Sequence, residues 1–283
     1  MTGFGVARDD RVSRTQFGIS VRRSRFEPAP RGEVCQDRRS WYGCAMNFVR
    51  QHLDTFLGIQ LQPQGVVGAP LRPWAASLRP SLPVTILDKL PETALCRDRL
   101  REFCADADTP VAFLAIAAWG GMHRLHASRA WQAQTSWMAI LEGIRSSRRT
   151  RGEDFAVLHE LQVEKRFPGV GAPYFTKLLF FLRQEPDAYI MDQWTAKSVN
   201  LLTGREVVKV SRAGWVGPDN DRKRYDEFCE VVDHLAKLLG CAGSAAEHAL
   251  ISRGGRKPWK WRKYVRDHFP HPHRRNERQR HIT

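Results

Sequence analysis

The sequence of 283 residues contains no long hydrophobic run. Its longest uninterrupted apolar stretch, residues 111–119, has nine residues, whereas a membrane-spanning helix needs about 20. Residues 1–10 contain no apolar segment of the kind found in a secretory signal peptide. We therefore expect a cytoplasmic protein without membrane spans.

The sequence also lacks the cysteine and glycine motifs of common metal and cofactor sites. Its six cysteines form no C-x-x-C pair, no zinc-ligand spacing and no tight four-cysteine cluster. No P-loop and no G-x-G-x-x-G turn occurs. In a reducing cytoplasm we expect the cysteines to be buried and free. We expect no metal ion and no required cofactor.

Acidic residues are few compared with basic ones. Asp and Glu number 30 against 45 Lys and Arg, which gives a net charge of +15 and a pI near 10.1. The excess is concentrated in residues 253–283, where eleven Lys and Arg stand against two acids. Such an excess favours a polyanionic partner, because each neutralised phosphate releases counterions. Nucleic acid is the first candidate, and an anionic membrane surface is the alternative.

Aromatic residues alternate with cations at the start of this basic segment. The cations that we predict to bind DNA are Lys257, Lys260, Arg262 and Lys263. The aromatic residues beside them are Trp259, Trp261 and Tyr264. Rings that stack on bases beside phosphate-binding cations are typical of nucleic-acid-binding surfaces. The alternative is a disordered, solvated tail.

Hydrophobic periodicity predicts a mainly α-helical protein with three regions. Residues 1–90 are basic and rich in proline, with one helix at 41–61, and the six prolines between residues 63 and 91 indicate an irregular crossing or a linker. Residues 91–252 are the predicted helical core. Residues 253–283 form the basic aromatic tail.

Within the core, apolar residues recur at intervals of three and four. The predicted helices are 92–107, 111–119, 126–145, 152–165, 172–184, 192–202 and 219–239, with a capping box at 244–247 that opens another. Thr109 is the predicted N-cap of the fully apolar helix at 111–119. The only strand-like run is 207–210.

Two predicted helices flank the sequence Phe-Pro-Gly-Val-Gly at residues 167–171. Gly169 and Gly171 permit backbone conformations with φ > 0 and leave no Cβ in the way of a phosphate. The helix that follows directs its free N–H groups at that phosphate. This pattern is the helix-hairpin-helix signature, and it predicts that the backbone of Gly169, Val170 and Gly171 contacts DNA.

Residues 153–202 resemble the helix-hairpin-helix DNA glycosylases, which remove modified bases from DNA. In that superfamily an essential aspartate follows the hairpin after a helix and a short loop, and here Asp192 lies 21 residues after Gly171. Residues 174–181 and 190–192 are most similar to the 8-oxoguanine-glycosylase branch. The similarity extends to prokaryotic antiviral glycosylases that excise hypermodified bases from phage DNA. It implies duplex DNA as the partner, and a monovalent cation at the hairpin in some members.

The resemblance implies that Asp192 is the catalytic carboxylate, which stabilises positive charge on the sugar. From local sequence alone Asp192 is an N-cap, and the two roles are compatible. In members that also cleave the strand, a Schiff-base lysine commonly lies two residues after the second hairpin glycine, where this sequence has Pro173. Lys177 lies one helical turn later and is the candidate nucleophile. The alternative for Lys177 is an ordinary solvated helix face.

The sequence thus predicts a monomeric DNA N-glycosylase with two helical lobes and a DNA-binding cleft between them. The modified nucleotide flips into this cleft, where Tyr174 and Trp194 are candidates for the base pocket. The excised base is a hypermodified phage base, such as glucosylated hydroxymethylcytosine, or 8-oxoguanine, with or without strand cleavage. The alternative from another class is a non-catalytic helix-hairpin-helix module that binds DNA without regard to sequence.

Overall fold

The computed structural model of the protein describes residues 46–60, 68–146, 148–252 and 258–269. This part of the chain forms thirteen helices: α1 Arg50–Leu57, α2 Leu71–Ala76, α3 Val84–Leu87, α4 Arg97–Asp106, α5 Thr109–Trp119, α6 Arg124–Gln132, α7 Gln134–Arg145, α8 Arg151–Val163, α9 Ala172–Leu182, α10 Gln193–Thr203, α11 Arg222–Leu239, α12 Gly243–Ile251 and α13 Lys260–His268. The described residues form no strand beyond one isolated antiparallel bridge. The prediction of a mainly α fold is confirmed. None of these thirteen helices is long and apolar enough to cross a membrane.

Helix α5 is the centre of the first helix group. All of its residues except Pro110 are buried, because its sequence is apolar on every side. It packs against α2, α4, α7 and α9, and α9 also packs against α8. The buried helix at 111–119 is therefore confirmed, although the N-cap is Asp108 and Thr109 is the first helical residue.

The hairpin turn is fixed to this first group through aromatic packing. Phe167, at the start of the turn, is almost fully buried and stacks on Trp137 with ring centroids 5.2 Å apart. Trp137 also contacts Phe113 of α5 at 4.7 Å. Aromatic pairs at these distances contribute stability beyond their buried area. The turn is consequently held against the core of the protein.

The second helix group is built around α10, which packs against α1, α11, α12 and α13. The two groups join where α11 packs against α8. At that junction the rings of Tyr225 and Phe155 stack with centroids 4.6 Å apart. The Tyr225 hydroxyl also accepts the N–H of Tyr189 at 3.2 Å, and this bond anchors the segment that leads into α10.

The proline-rich segment is more ordered than its composition suggests. Its described part, residues 68–91, contains α2 and α3, and Leu71, Trp74 and Leu90 are buried. The linker alternative is therefore wrong for these residues. Proline is compatible with such short helices because Pro70 and Pro83 occupy N-cap positions, where no helical N–H is needed.

Three further sequence predictions need correction. The single helix at 126–145 is two helices, because the backbone breaks at Ala133. Residues 207–210 form no strand, since the side chain of Asn220 bonds both the N–H and the C=O of Lys209 in place of a neighbouring strand. The capping box at 244–247 does not form: the N-cap of α12 is Ala242, and Glu247 is buried.

Part of the predicted basic tail belongs to the folded core. Trp261 of α13 is 1% exposed, and its indole N–H donates to the Ser198 hydroxyl at 3.0 Å. Trp261 therefore cannot stack on bases, and residues 260–268 are not a disordered tail. Among the described cysteines, Cys104 and Cys229 are buried and free as predicted, while Cys96 and Cys241 are free but partly exposed.

Replacing Trp261 by alanine should lower the free energy of unfolding by about 3–5 kcal/mol, because a large buried side chain is lost. Lys260→Ala, one residue earlier on the exposed side, should change it by no more than about 0.5 kcal/mol. Chemical denaturation of both variants measures the difference. Equal stability of the two would show that α13 does not contribute to the core.

Candidate active site

The hairpin glycines have different structural roles. Gly169 has φ +77°, and a Cβ there would approach the backbone of His126 to 2.9 Å. Gly171 is the N-cap of α9 with an extended backbone, and a Cβ there would meet only the end of the flexible Gln162 side chain at 3.3 Å. Gly169 is thus required by the turn itself, whereas Gly171 is not.

The start of α9 is arranged so that it can receive an anion. Gly171 supplies no side-chain cap; Pro173 has no N–H and the Tyr174 N–H donates to the Gly171 carbonyl at 2.8 Å, so the donor that the first turn can offer to an anion is the Ala172 N–H. The Val170 side chain is buried, so only its backbone can contact DNA. This geometry suits a phosphate at the hairpin. The predicted contacts of Gly169, Val170 and Gly171 with DNA stay predictions.

Asp192 is the N-cap of α10 and is half-buried. Its Oδ1 accepts the N–H groups of Trp194 at 2.7 Å and Thr195 at 3.1 Å, while the Thr195 hydroxyl accepts the Asp192 N–H. The N-cap interpretation is therefore confirmed. Oδ2 makes no hydrogen bond within the described residues, so the carboxylate keeps one oxygen for a substrate.

Lys177 of α9 is buried, with 8% of its surface exposed. Its Nζ donates to the Pro173 carbonyl at 3.0 Å and lies 5.0 Å from the centre of the Tyr174 ring. Thr176 and Arg183, which share its stripe of polar residues, are buried as well. The solvated-face alternative is therefore wrong for Lys177, although Gln184, the last residue of the stripe, is exposed.

Burial is the main cause that lowers the pKa of Lys177, and the charge of Arg97 lowers it further. The negative charges of Asp192 and Glu247 act in the opposite direction. A lysine with a lowered pKa has a larger neutral fraction and is a better nucleophile. Because the charge of Asp192 affects the pKa of Lys177, the two side chains lie close enough to interact electrostatically.

One hydrogen bond links the two predicted catalytic segments. The Met191 N–H donates to the hydroxyl of Thr176, the neighbour of Lys177, at 3.0 Å. The same hydroxyl can donate to the Ala172 carbonyl of its own helix at 3.1 Å. Because Met191 immediately precedes Asp192, this bond fixes the position of Asp192 relative to α9.

Tyr174 packs against the glycine that follows α5. Its hydroxyl donates to the Gly120 carbonyl at 3.2 Å, and burial raises its pKa to about 12. A Cβ at Gly120 would lie 3.0 Å from both Tyr174 Cε1 and Lys177 Cδ. Gly120 thus leaves room for the Lys177 side chain. The Gly-Gly pair after an apolar helix was the only sequence signal for this role.

Trp194 is half-buried, and a cationic side chain lies over its ring. The guanidinium of Arg262 lies 3.8 Å from the ring centre. A base that stacks on this face would have to displace Arg262. Trp194 and Tyr174 therefore stay candidates for the base pocket without further support. Of the other predicted DNA-binding cations, Lys260 and Lys263 are exposed, and Lys257 lies outside the described residues.

A buried ion pair near Lys177 was not predicted. Arg97 of α4 bonds Glu247 of α12, with 6% and 0% of their surfaces exposed. Burial raises the pKa of Glu247 to about 7, although Arg97 opposes the shift. Arg97 also lies over the Phe180 ring at 3.8 Å. No sequence pattern links these two residues, which are 150 positions apart.

Within the described residues, no group of three or more His, Cys, Asp and Glu side chains is arranged to hold a metal ion. The expectation of no required cofactor, and that of a monovalent cation at the hairpin, stay predictions.

The mainly helical fold, with a turn between α8 and α9, agrees with the helix-hairpin-helix class that the sequence predicts. The sequence pattern of the family described as "Putative 8-oxoguanine DNA glycosylase OGG-like protein" matches residues 63–251. The chain belongs to this OGG-like family, and the predicted resemblance is confirmed. DNA is therefore its partner. Comparison with curated proteins and with solved structures found no match.

Gly171→Leu should weaken binding to duplex DNA several-fold, because the side chain would occupy the space of a phosphate at the start of α9. Stability should stay nearly unchanged, since the backbone is extended and Gln162 can move. Gly58→Leu, at the end of α1 and with only ordinary contacts, is the control. Fluorescence anisotropy gives the affinity. Unchanged affinity of a folded Gly171→Leu protein would limit the turn to a structural role.

Two neighbouring residues of α12, Glu247 and His248, should change the free energy of unfolding in opposite directions as pH rises. Glu247 has its pKa raised from 4.5 to about 7, so its contribution to the free energy of unfolding falls as pH rises through this range. Burial, followed by the charge of Arg97, lowers the pKa of His248 from 6.5 to about 4, so its contribution rises from pH 4 to 6.5.

The two contributions of α12 offset each other between pH 4.5 and 6.5. In this range Glu247→Gln should make stability rise more steeply with pH than in the wild type, and His248→Gln should make it fall more steeply. Denaturation at several pH values measures both slopes. Three parallel curves would contradict these assignments.

Proposed function

We propose that this DNA glycosylase excises a modified base with Asp192 and Lys177 as its catalytic residues. The observation that carries the proposal is the bond from the Met191 N–H to Thr176, which joins the segment of Asp192 to the helix of the buried Lys177, while the Asp192 carboxylate keeps one oxygen free. The target nucleotide must leave the stack, because its glycosidic carbon is not accessible in the duplex.

Asp192 is suited to stabilise a cationic sugar. As the glycosidic bond breaks, its electron pair leaves with the base and positive charge develops on the sugar. A fixed carboxylate nearby lowers the energy of that state without reorganisation. The capping bonds to Trp194 and Thr195 hold the carboxylate in place.

Lys177 is suited to attack the sugar carbon as a neutral amine. The new C–N bond replaces the bond to the base, and a protonated imine then forms when the sugar ring opens. Such an intermediate permits cleavage of the strand. If water attacks instead, the product is an intact abasic site and Lys177 only contributes charge.

Two classes of base are candidates. This sequence has Pro173 at the position where the oxoguanine enzymes usually have their lysine. The difference favours a hypermodified phage base, with a role in antiviral defence. The description of the family favours 8-oxoguanine. Incubation with DNA from modified and unmodified phages, and with oxidised DNA, followed by mass spectrometry of the released bases, separates the two. We propose action as a monomer in the cytoplasm.

Asp192→Asn should lower base release by orders of magnitude while folding and DNA affinity are kept, because asparagine is also a good N-cap but carries no charge. Each tenfold loss corresponds to about 1.4 kcal/mol of transition-state stabilisation. Asp221→Asn is the matched control, since Asp221 caps α11 in the same way. Full base release by Asp192→Asn would disprove the role of this carboxylate.

Borohydride trapping tests the nucleophile. The wild-type protein should become covalently attached to DNA, and so should Lys237→Gln, which changes an exposed lysine of α11. Lys177→Gln should not be trapped. Equal trapping of Lys177→Gln would assign the amine to another residue, and abasic sites without any trapping would assign the attack to water. If no base is released from any DNA, the non-catalytic binding module is the better interpretation.

A further inference from the structure

Two cations, the buried Lys197 and the partly buried Arg262, lie against Trp194, two residues after Asp192. Arg262 of α13 lies 3.8 Å from the ring centre, and Lys197 of α10 places its Nζ at 4.8 Å. Lys197 is only 7% exposed. We call Trp194, Lys197 and Arg262 the Trp194 cluster. The hairpin does not include it, and the sequence pattern did not indicate Lys197.

The Trp194 cluster has more positive charge than the protein neutralises. Burial lowers the pKa of Arg262 to about 10, and the charge of Asp192 opposes the shift. Burial also lowers the pKa of Lys197, Arg262 lowers it further, and Asp192 again opposes. The negative charge of Asp192 therefore acts on both cations, and it also acts on Lys177.

Each cation of the Trp194 cluster has at least one N–H donor without a hydrogen-bond partner among the described residues. The guanidinium of Arg262 donates to the Ser252 carbonyl at 2.9 Å, but its Nε has no partner within the described residues. Over the same residues the Lys197 ammonium bonds no oxygen, and its contacts are with aromatic rings. The buried Arg262 Nε, a donor without an acceptor, destabilises the free protein. An anion that accepts from both would remove this cost.

A tight turn holds Lys197 in place. Gly214 has φ +86°, and a Cβ there would lie 2.6 Å from the Lys197 Nζ. The turn is closed by the Ser211 N–H, which donates to the Trp215 carbonyl at 2.8 Å. The Lys197 amine therefore lies against the backbone of this turn, in space that any residue larger than glycine at position 214 would occupy.

We propose that Lys197 and Arg262 bind a phosphodiester of the DNA backbone that flanks the nucleotide whose sugar faces Asp192. A phosphodiester carries one negative charge and several acceptor oxygens, which suits an ammonium beside a guanidinium with a free N–H. The inference rests on the proposed function of Asp192. It gives the protein a second phosphate contact, separate from the hairpin.

The test uses duplex DNA with a tetrahydrofuran residue in place of the target nucleotide, which binds without reaction. Lys197→Met and Arg262→Met should each weaken binding about tenfold, because a charge-assisted hydrogen bond is lost. Each should also lower the slope of log affinity against log salt by about 0.9. Arg266→Met, an exposed cation of α13, should change affinity less than twofold.

A neutral methylphosphonate at a single flanking phosphate makes the test specific. At the bound phosphate it should weaken wild-type binding about as much as Lys197→Met does, and the two changes together should add little. If Arg262→Met does not fold, Arg262→Lys replaces it and should lose part of the affinity, since the planar fork is missing. Insensitivity of the wild type to methylphosphonate on both sides, or equal binding by Lys197→Met and Arg266→Met, would overturn the inference.

The outcome is independent of whether catalysis has been assigned correctly. Asp192→Asn should bind the tetrahydrofuran duplex as tightly as the wild type, and base release is measured in a separate assay. Normal base release that depends on Asp192, together with unaffected binding by Lys197→Met, would reject only the phosphate contact. A wild-type protein that releases no base and does not prefer the tetrahydrofuran duplex would reject the proposed function.

Discussion

The hydrogen bond from the Met191 N–H to the Thr176 hydroxyl connects the two parts of the candidate site. Thr176 lies beside Lys177 on the second hairpin helix, and Met191 leads directly into Asp192. A threonine that is fully buried needs partners for its hydroxyl, and the backbone of the Asp192 segment supplies one. The requirement to satisfy one buried polar group therefore helps to fix the position of Asp192 relative to the second hairpin helix.

Local sequence patterns predicted the features that depend on neighbouring residues. The buried α5 helix, the hairpin turn and the cap at Asp192 all follow from residues within a few positions of one another. Features that depend on distant contacts were missed. The Arg97–Glu247 pair joins residues 150 positions apart, and periodicity alone left Lys177 open between a candidate nucleophile and a solvated face. Only the packing of α9 against four helices shows that it is buried.

The cationic side chains of the candidate site are buried or partly buried. Lys177, Lys197 and Arg262 all have their pKa lowered by burial, and each is influenced by Asp192. Burying such groups destabilises a folded chain unless they are paired. This arrangement costs stability in the free protein; under the proposed function, the same fixed charges act on the DNA backbone and on the cationic sugar.

Helix α13 has a consequence for comparisons within the family. The family pattern matches residues 63–251 and ends before α13, yet this nine-residue helix places Arg262 on Trp194 and buries Trp261 against α10. The charge beside Asp192 is thus set by an element outside the shared region. Under the proposed phosphate contact, replacing α13 should change how the protein holds the flanking phosphate while the hairpin and Asp192 stay the same.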